Sequence, residues 1–171
     1  MKKILILFCF VCLFSTTGRS QTVPAKYREL LDNILMHMPA KEPANDLISF
    51  AKSMIGIPYR YASSNPSIGF DCSGFVSYVF KNFGISTPRS SSEFSIAGVP
   101  VKLENIKVGD VLVFTGTNPR IRRVGHVGIV SSIEGDTIQF IHATSGKAHG
   151  VTITKFNAYY KSRFMKAVSM L

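Results

Sequence analysis

Cysteine is scarce in this chain of 171 residues, which has three. Two of them, Cys9 and Cys12, fall in an apolar N-terminal run, so a chain that has shed that run keeps Cys72 alone. One thiol excludes a disulfide framework, because exported proteins oxidise their cysteines in pairs. Long hydrophobic runs are missing too. The stretch Ile4 to Phe14 is shorter than the ~20 apolar residues that span a bilayer, so no stable membrane span is expected. Acidic residues are half as common as basic ones, ten against twenty, and the formal charge is +10. No nucleic-acid motif accompanies that excess, which argues against a nucleic-acid partner. The sequence also lacks repeats, low-complexity tracts and any sign of a second domain.

The N-terminus reads as a secretory signal over residues 1–20. Lys2 and Lys3 supply the charged start, and Ser15 to Ser20 a small, polar exit. Cleavage is expected after Ser20, with Gly18 as the other small side chain, and export to the periplasm or the extracellular space follows. Lipoprotein anchoring is disfavoured because Cys9 and Cys12 follow the bulky residues Phe8 and Val11. Loss of Lys2, Lys3 and Arg19 lowers the charge from +10 to +7. A basic exported protein suits an anionic polymer such as a cell wall.

Residues 21–42 are expected to form a leader, with an amphipathic helix from Ala25 to His37 ended by Pro39. Residues 43–171 form one domain with a real core. A helix is predicted from Ala44 to Met54, with Leu47, Ile48, Ala51 and Ile55 on one side. Residues 56–71 read as a loop. A further helix opens near Cys72, with Asp71 as N-cap, Phe75, Val76, Val79, Phe80 and Phe83 as apolar positions, and Gly84 at C′. After a second loop, Thr87 to Pro100, the pattern turns to strands: Val111 to Phe114, His126 to Ser132, Thr137 to His142, Val151 to Thr154 and Phe164 to Val168. Helices first and antiparallel strands second give an α+β fold.

Chemistry gathers at Cys72. Unpaired N–H groups and the dipole at a helix start favour thiolate over thiol. Gly74 is expected to leave the helix mouth open to a substrate backbone. A thiol nucleophile needs a base, and the base needs a group to orient it. His37 and His149 read as solvated, whereas His126 and His142 sit at the outer ends of one predicted hairpin. With Glu134-Gly135-Asp136 as a three-residue loop, opposed positions sum to 270 and His126 lies diagonal to His142. Diagonal neighbours on one face are ~7–8 Å apart at Cα, near enough for two rings to meet. A two-residue loop alone would put them on opposite faces, so an odd-length loop or a bulge is predicted.

Five ordered motifs carry a resemblance: Ile57-Pro58-Tyr59-Arg60-Tyr61, Gly69-Phe70-Asp71-Cys72-Ser73-Gly74-Phe75-Val76, Val108 to Phe114, Gly125-His126-Val127-Gly128-Ile129-Val130, and Phe140-Ile141-His142-Ala143. As a set they resemble NlpC-type peptidases, papain-like cysteine hydrolases of the bacterial cell wall, over roughly residues 44 to 168. The resemblance implies a papain-like domain with N-terminal helices packed on a central antiparallel β-sheet. It also implies a peptidoglycan hydrolase that cuts amide bonds in stem peptides, either the γ-D-glutamyl–diamino acid bond or a crosslink. Cys72 then matches the nucleophile, His126 the general base and His142 the residue that orients it. Tyr61, Asp71 and Ser73 match positions that line the cleft or hold the stem. The loop Pro88 to Phe94 resembles a substrate-side segment, which adds Arg89 and Ser91. No metal or organic cofactor is implied, the partner is the stem peptide, and a monomer is expected.

Three features depart from the pattern. Ala62 and Ser63 stand where the family usually has two glycines, which is expected to narrow the cleft. Phe94 replaces a usual Gln. Arg120, Arg122 and Arg123 lie in an extended loop, 115–124, which reads equally as a cleft rim that attracts carboxylates or as a merely solvated loop. Two rival readings stay open at this point: an inactive wall-binding module, and a thioester-forming acyltransferase of the same fold.

Overall fold

The computed structural model describes residues 43–171 and, before them, Arg28 alone. The expected signal, and the leader helix apart from Arg28, lie outside the described residues. Helix α1 (Pro43–Lys52) buries Leu47, Ile48 and Ala51, as their spacing predicts. Ile55, assigned to the same side, falls past the helix end and is exposed. The predicted loop at 56–71 contains a small antiparallel hairpin, β1 (Ser64–Asn65) and β2 (Gly69–Phe70).

Helix α2 (Cys72–Lys81) starts at the thiol and buries Phe75, Val76, Val79 and Phe80. It ends as the sequence predicts. Gly84 has φ +75, its N–H bonds to the Lys81 carbonyl, and the Ile85 N–H bonds to that of Phe80. These two bonds form a Schellman closure with Gly84 at C′.

Six strands follow: β3 (Val99–Val101), β4 (Val111–Thr115), β5 (Val124–Glu134), β6 (Thr137–Thr144), β7 (Gly150–Lys155) and β8 (Phe164–Ser169). Between β7 and β8 lies helix α3 (Ala158–Arg163). The sheet order is β3-β8-β4-β5-β6-β7, with every neighbouring pair antiparallel. Strand β3 and helix α3 are additions to the sequence reading, which left both stretches without regular structure.

Alternation along the strands gives the sheet two apolar faces. Val111, Val113, Val127, Ile129, Ile141 and Ala143 join the residues of α1 and α2 in one core. Leu112, Phe114, Val130 and Phe140 pack on the other side with Phe156, Ala167 and Tyr160. This is the α+β, papain-like arrangement, with the helices against a central antiparallel sheet. Among the described residues no helix is long and apolar enough to cross a membrane.

The β5–β6 hairpin corrects one detail and keeps its consequence. Glu134 pairs with Thr137, so the turn has two residues, Gly135 and Asp136, and not three. The register then shifts between Val130 and Ser132, where Ser131 is the extra residue of a bulge. Beyond it Val130 pairs with Phe140 and Ile129 with Ile141, so the sum returns to 270. The bulge brings the two histidines to one face. Gly128 makes the close approach possible, since a Cβ there would lie 2.7 Å from the Phe140 ring and 3.0 Å from the His142 Cβ.

Candidate active site

Asp71 sets the start of α2. Its backbone is extended (φ −83, ψ 175), its carboxylate accepts the Gly74 N–H at 2.6 Å, and its carbonyl accepts the Phe75 N–H. With those donors taken, the N–H groups of Cys72 and Ser73 remain at the sulfur, joined by that of Val127 from β5.

The resting charge of the thiol differs from the sequence expectation. Cys72 is 8% exposed and packs into the helix-side core. Burial is the largest influence on it and pushes its pKa above the usual range. The Val127 N–H opposes this, the Asp71 carboxylate adds to it, and the helix-start N–H groups are too weak to reverse it. The helix mouth is itself capped by an anion, which cancels part of the dipole. The resting group is a thiol, and it needs a base to become a nucleophile.

The two candidate imidazoles lie on β5 and β6. His126 Nε2 lies 2.7 Å from His142 Nδ1, and His142 Nε2 lies 3.0 Å from Thr154 Oγ1. The proton order competent for base chemistry runs in one direction. His126 Nε2–H donates to His142 Nδ1, His142 Nε2–H donates to Thr154, and His126 Nδ1 keeps a free lone pair. Phe114, Phe140 and Tyr160 surround the pair, with ring centroids 5.9 Å from His126 (Phe114) and 4.6 and 5.7 Å from His142 (Phe140 and Tyr160). Burial, aided by His142 and Arg163, holds the His126 pKa well below its ordinary value. Burial and Arg163 take His142 down to about 3. Both rings are therefore neutral at pH 7.

The same shifts make stability depend on pH. The folded values lie below the unfolded value of ~6.5, so the stabilisation is complete above ~6.5 and is lost as pH falls toward the folded values. Unfolding free energy from denaturant melts should drop from pH 7 to pH 4, by up to ~1.4 kcal/mol per pH unit for each ring. The His142→Gln variant should show a shallower decline. Equal slopes for both proteins would count against a neutral, buried His142.

Cys72, His126 and Tyr59 line one cavity of about 830 Å³, together with Gly116, Thr117, Thr154 and residues of the 144–148 loop. Tyr61, the tyrosine singled out in the sequence, is 84% exposed and is not in that lining, whereas Tyr59 is. Burial raises the Tyr59 pKa, and Cys72 adds to the effect.

Asp71, Ser73 and Arg89 form a separate cluster. Arg89 holds both carboxylate oxygens of Asp71, at 3.0 and 2.8 Å, and reaches Ser73 Oγ at 3.2 Å. Ser77 Oγ donates to the Pro88 carbonyl at 2.5 Å and pins this loop to α2. Ser91 is half-buried in the loop and lies outside the cavity lining.

Several local expectations change. The space above Gly74 is filled by the Ser63 carbonyl, which accepts the Asp71 N–H at 2.9 Å, and not by substrate. Phe94 is fully buried in the helix-side core. None of Arg120, Arg122 and Arg123 lines the cavity. Arg122 donates to the carbonyls of Ser162 and Phe164, and so ties its loop to the end of α3.

Ala62 is exposed rather than cleft-lining, and its φ is +58, a conformation that costs an L-residue roughly 1 kcal/mol. That is the physical sense of a glycine there. Ala62→Gly should raise stability by ~0.5–1 kcal/mol in denaturant melts, net of glycine's greater unfolded-state entropy. A destabilised variant would count against the strain.

Sequence reasoning missed Thr154, Tyr59 and Arg163. Thr154 was within reach: His142 pairs with Thr152, which puts Thr152 and Thr154 on the face of β7 that His142 shares.

A cysteine at a helix start, set against a strand-borne histidine pair in an α+β domain, defines the papain-like class of cysteine hydrolase folds. Residues 56–169 match the NlpC/P60 family, and the chain belongs to that family. It is 33% identical over 124 residues to the gamma-DL-glutamyl hydrolase of Bacillus subtilis, covering 71% of this chain and 28% of the relative. It is 36% identical over 119 residues to a murein DD-endopeptidase/murein LD-carboxypeptidase of Escherichia coli, covering 68% and 57%. The crystal structure of an NlpC/P60 family protein from Bacillus cereus superposes with a TM-score of 0.66 at 33% identity, covering 78% of this chain and 41% of that one. The chain thus spans between about a quarter and a little over half of these relatives.

Proposed function

We propose that the protein is an exported peptidoglycan hydrolase, a thiol-dependent endopeptidase that cleaves an amide bond in cell-wall stem peptides. Cys72 is the nucleophile, His126 the general base and His142 the positioning residue. The observation that carries this reading is the 2.7 Å contact of His142 with His126, which lines the same cavity as Cys72, the only free cysteine among the described residues.

The chemistry begins from two neutral groups. As sulfur bonds to the amide carbon, the thiol proton passes to Nδ1 of His126, and the carbonyl becomes an oxyanion. N–H groups at the start of α2, that of Cys72 included, stabilise this charge. His142 accepts the opposite N–H of the ring and holds it in orientation while it is cationic. Collapse of the intermediate breaks the C–N bond, and His126 gives its proton to the departing amine. Water, deprotonated by the same ring, then attacks the thioester and releases acid and thiol. Asp71, Ser73 and Arg89 hold the acyl side of the stem, and Tyr59 takes the cleft position assigned to Tyr61.

Digestion of purified peptidoglycan by the mature chain, with soluble fragments identified by mass, tests the reading. New amine termini on diamino acid residues are expected. Intact sacculi after prolonged digestion would favour an inactive wall-binding module, and transfer of the acyl group to an acceptor other than water would favour an acyltransferase. Recovery of a chain starting at Gln21 from the exported fraction checks the signal, and recovery of the uncut chain in the cytoplasm would remove that part of the proposal.

A further inference from the structure

Among the described residues Arg163 is a buried cation with no counter-ion. It is 5% exposed, yet its three hydrogen-bond partners are neutral: the Gly116 carbonyl at 2.9 Å from Nε, the Tyr159 hydroxyl at 3.0 Å from Nη1, and the Thr115 carbonyl at 3.0 Å from Nη2. The guanidinium carbon also lies 5.0 and 5.4 Å from the ring centres of Tyr159 and Tyr160. A guanidinium has five N–H donors, so two remain after these bonds. Among the described residues no carboxylate forms an ion pair with it, and an uncompensated buried charge is costly unless a partner arrives.

Its place in the fold says where such a partner would come from. Arg163 belongs to the wall of the cavity that Cys72 and His126 line. Lys147 is on the same wall, and among the described residues no Asp or Glu is. Asp71, Ser73 and Arg89 are outside that wall, and there the positive charge is already met by a carboxylate at 2.8 Å. The thiol therefore adjoins one cluster that is internally neutralised and one cavity with net positive charge.

We propose that this cavity receives the diamino acid on the leaving side of the scissile bond, and that Arg163 and Lys147 read a free carboxylate on it. The proposal rests on the stem-peptidase reading and deepens it. In both bonds considered, the γ-D-glutamyl bond and the direct crosslink, the amine released belongs to the diamino acid, so the inference does not depend on which is cut. A diaminopimelate residue with its distal carboxylate free supplies the missing anion. Its amidated form and lysine do not.

The test takes whichever fragment the peptidoglycan digest identifies as substrate and prepares it with the diamino acid's carboxylate free, amidated, or absent as in lysine. The wild-type chain should favour the free acid by ~10- to 100-fold in kcat/KM, the range for a charged hydrogen bond. Arg163→Gln should lose most of that preference, chiefly through KM for the free acid. Where circular dichroism finds that variant unfolded, Lys147→Ala decides, with an expected fall in preference of at least ~threefold. Equal cleavage of the three fragments by wild type would overturn the proposal and leave the peptidase reading intact. A preference that survives in the decisive variant would overturn the assignment to these residues. If the digest yields no fragment, the peptidase reading fails and this inference fails with it.

Discussion

Cys72→Ala is expected to give a folded protein whose release of stem fragments is reduced by ~10⁴- to 10⁶-fold, the loss typical of removing a covalent nucleophile. The fold should survive because the substitution removes one sulfur from the edge of a core and opens only a small space, costing on the order of 1 kcal/mol. Fragment release measured by mass and a thermal melt on the same sample separate lost chemistry from lost structure. His126→Ala should approach the same floor, since the thiol is protonated at rest and His126 is the base proposed to take its proton. His142→Asn is expected to fall less, by ~10- to 100-fold, because an amide can still accept the His126 N–H and hold the ring. Residual activity in Cys72→Ala within tenfold of wild type would remove it as nucleophile. The acyltransferase alternative makes the same prediction for this variant, so product identity, and not the size of the loss, decides between them.

Gly74→Ala should be the most damaging small substitution for folding. A Cβ at this position would collide with the Ser63 carbonyl and come within 2.9 Å of the Asp71 carboxylate. Both neighbours are held. The Ser63 carbonyl accepts the Asp71 N–H at 2.9 Å, and the carboxylate accepts the Gly74 N–H at 2.6 Å while bridging to Arg89. Relief requires moving the backbone of the 60–63 turn, which breaks that N–H contact, or displacing the cap that starts the helix. The loss should exceed ~3 kcal/mol, since overpacking against a fixed backbone and loss of a cap add together. Because the thiol is two residues away, activity should fall further than the unfolded fraction accounts for. A denaturant midpoint within error of wild type would mean that the turn yields easily.

Much of the site could be read from the chain, and the parts that could not share a cause. The cap at Asp71, the helix behind Cys72 and the Gly84 closure are local, written within a few residues of one another. The pairing of His126 with His142 needed one long-range step, and strand periodicity supplied it even though the turn length was different. The protonation state of Cys72 was misjudged because it is decided by burial against residues far along the chain, which outweighs the local helix start. Helix α3 was missed because it is six residues long, too short for a 3.6-residue period, and rests on the Asn157 cap and tertiary packing. Arg163 was missed with it. Its role depends on carbonyls 47 and 48 positions away, and nothing in its own neighbourhood announces that.

The extra residue Ser131 has a consequence for how this hairpin tolerates change. Pairing near the histidines is fixed at that kink, several residues short of the turn, so Ser132 to Gln139 forms a tip whose length is decoupled from the imidazole contact. Insertions or a grafted peptide at Gly135-Asp136 should leave the pair undisturbed. Deleting one residue at the kink would slide the strands by a single step and turn one imidazole away from the other.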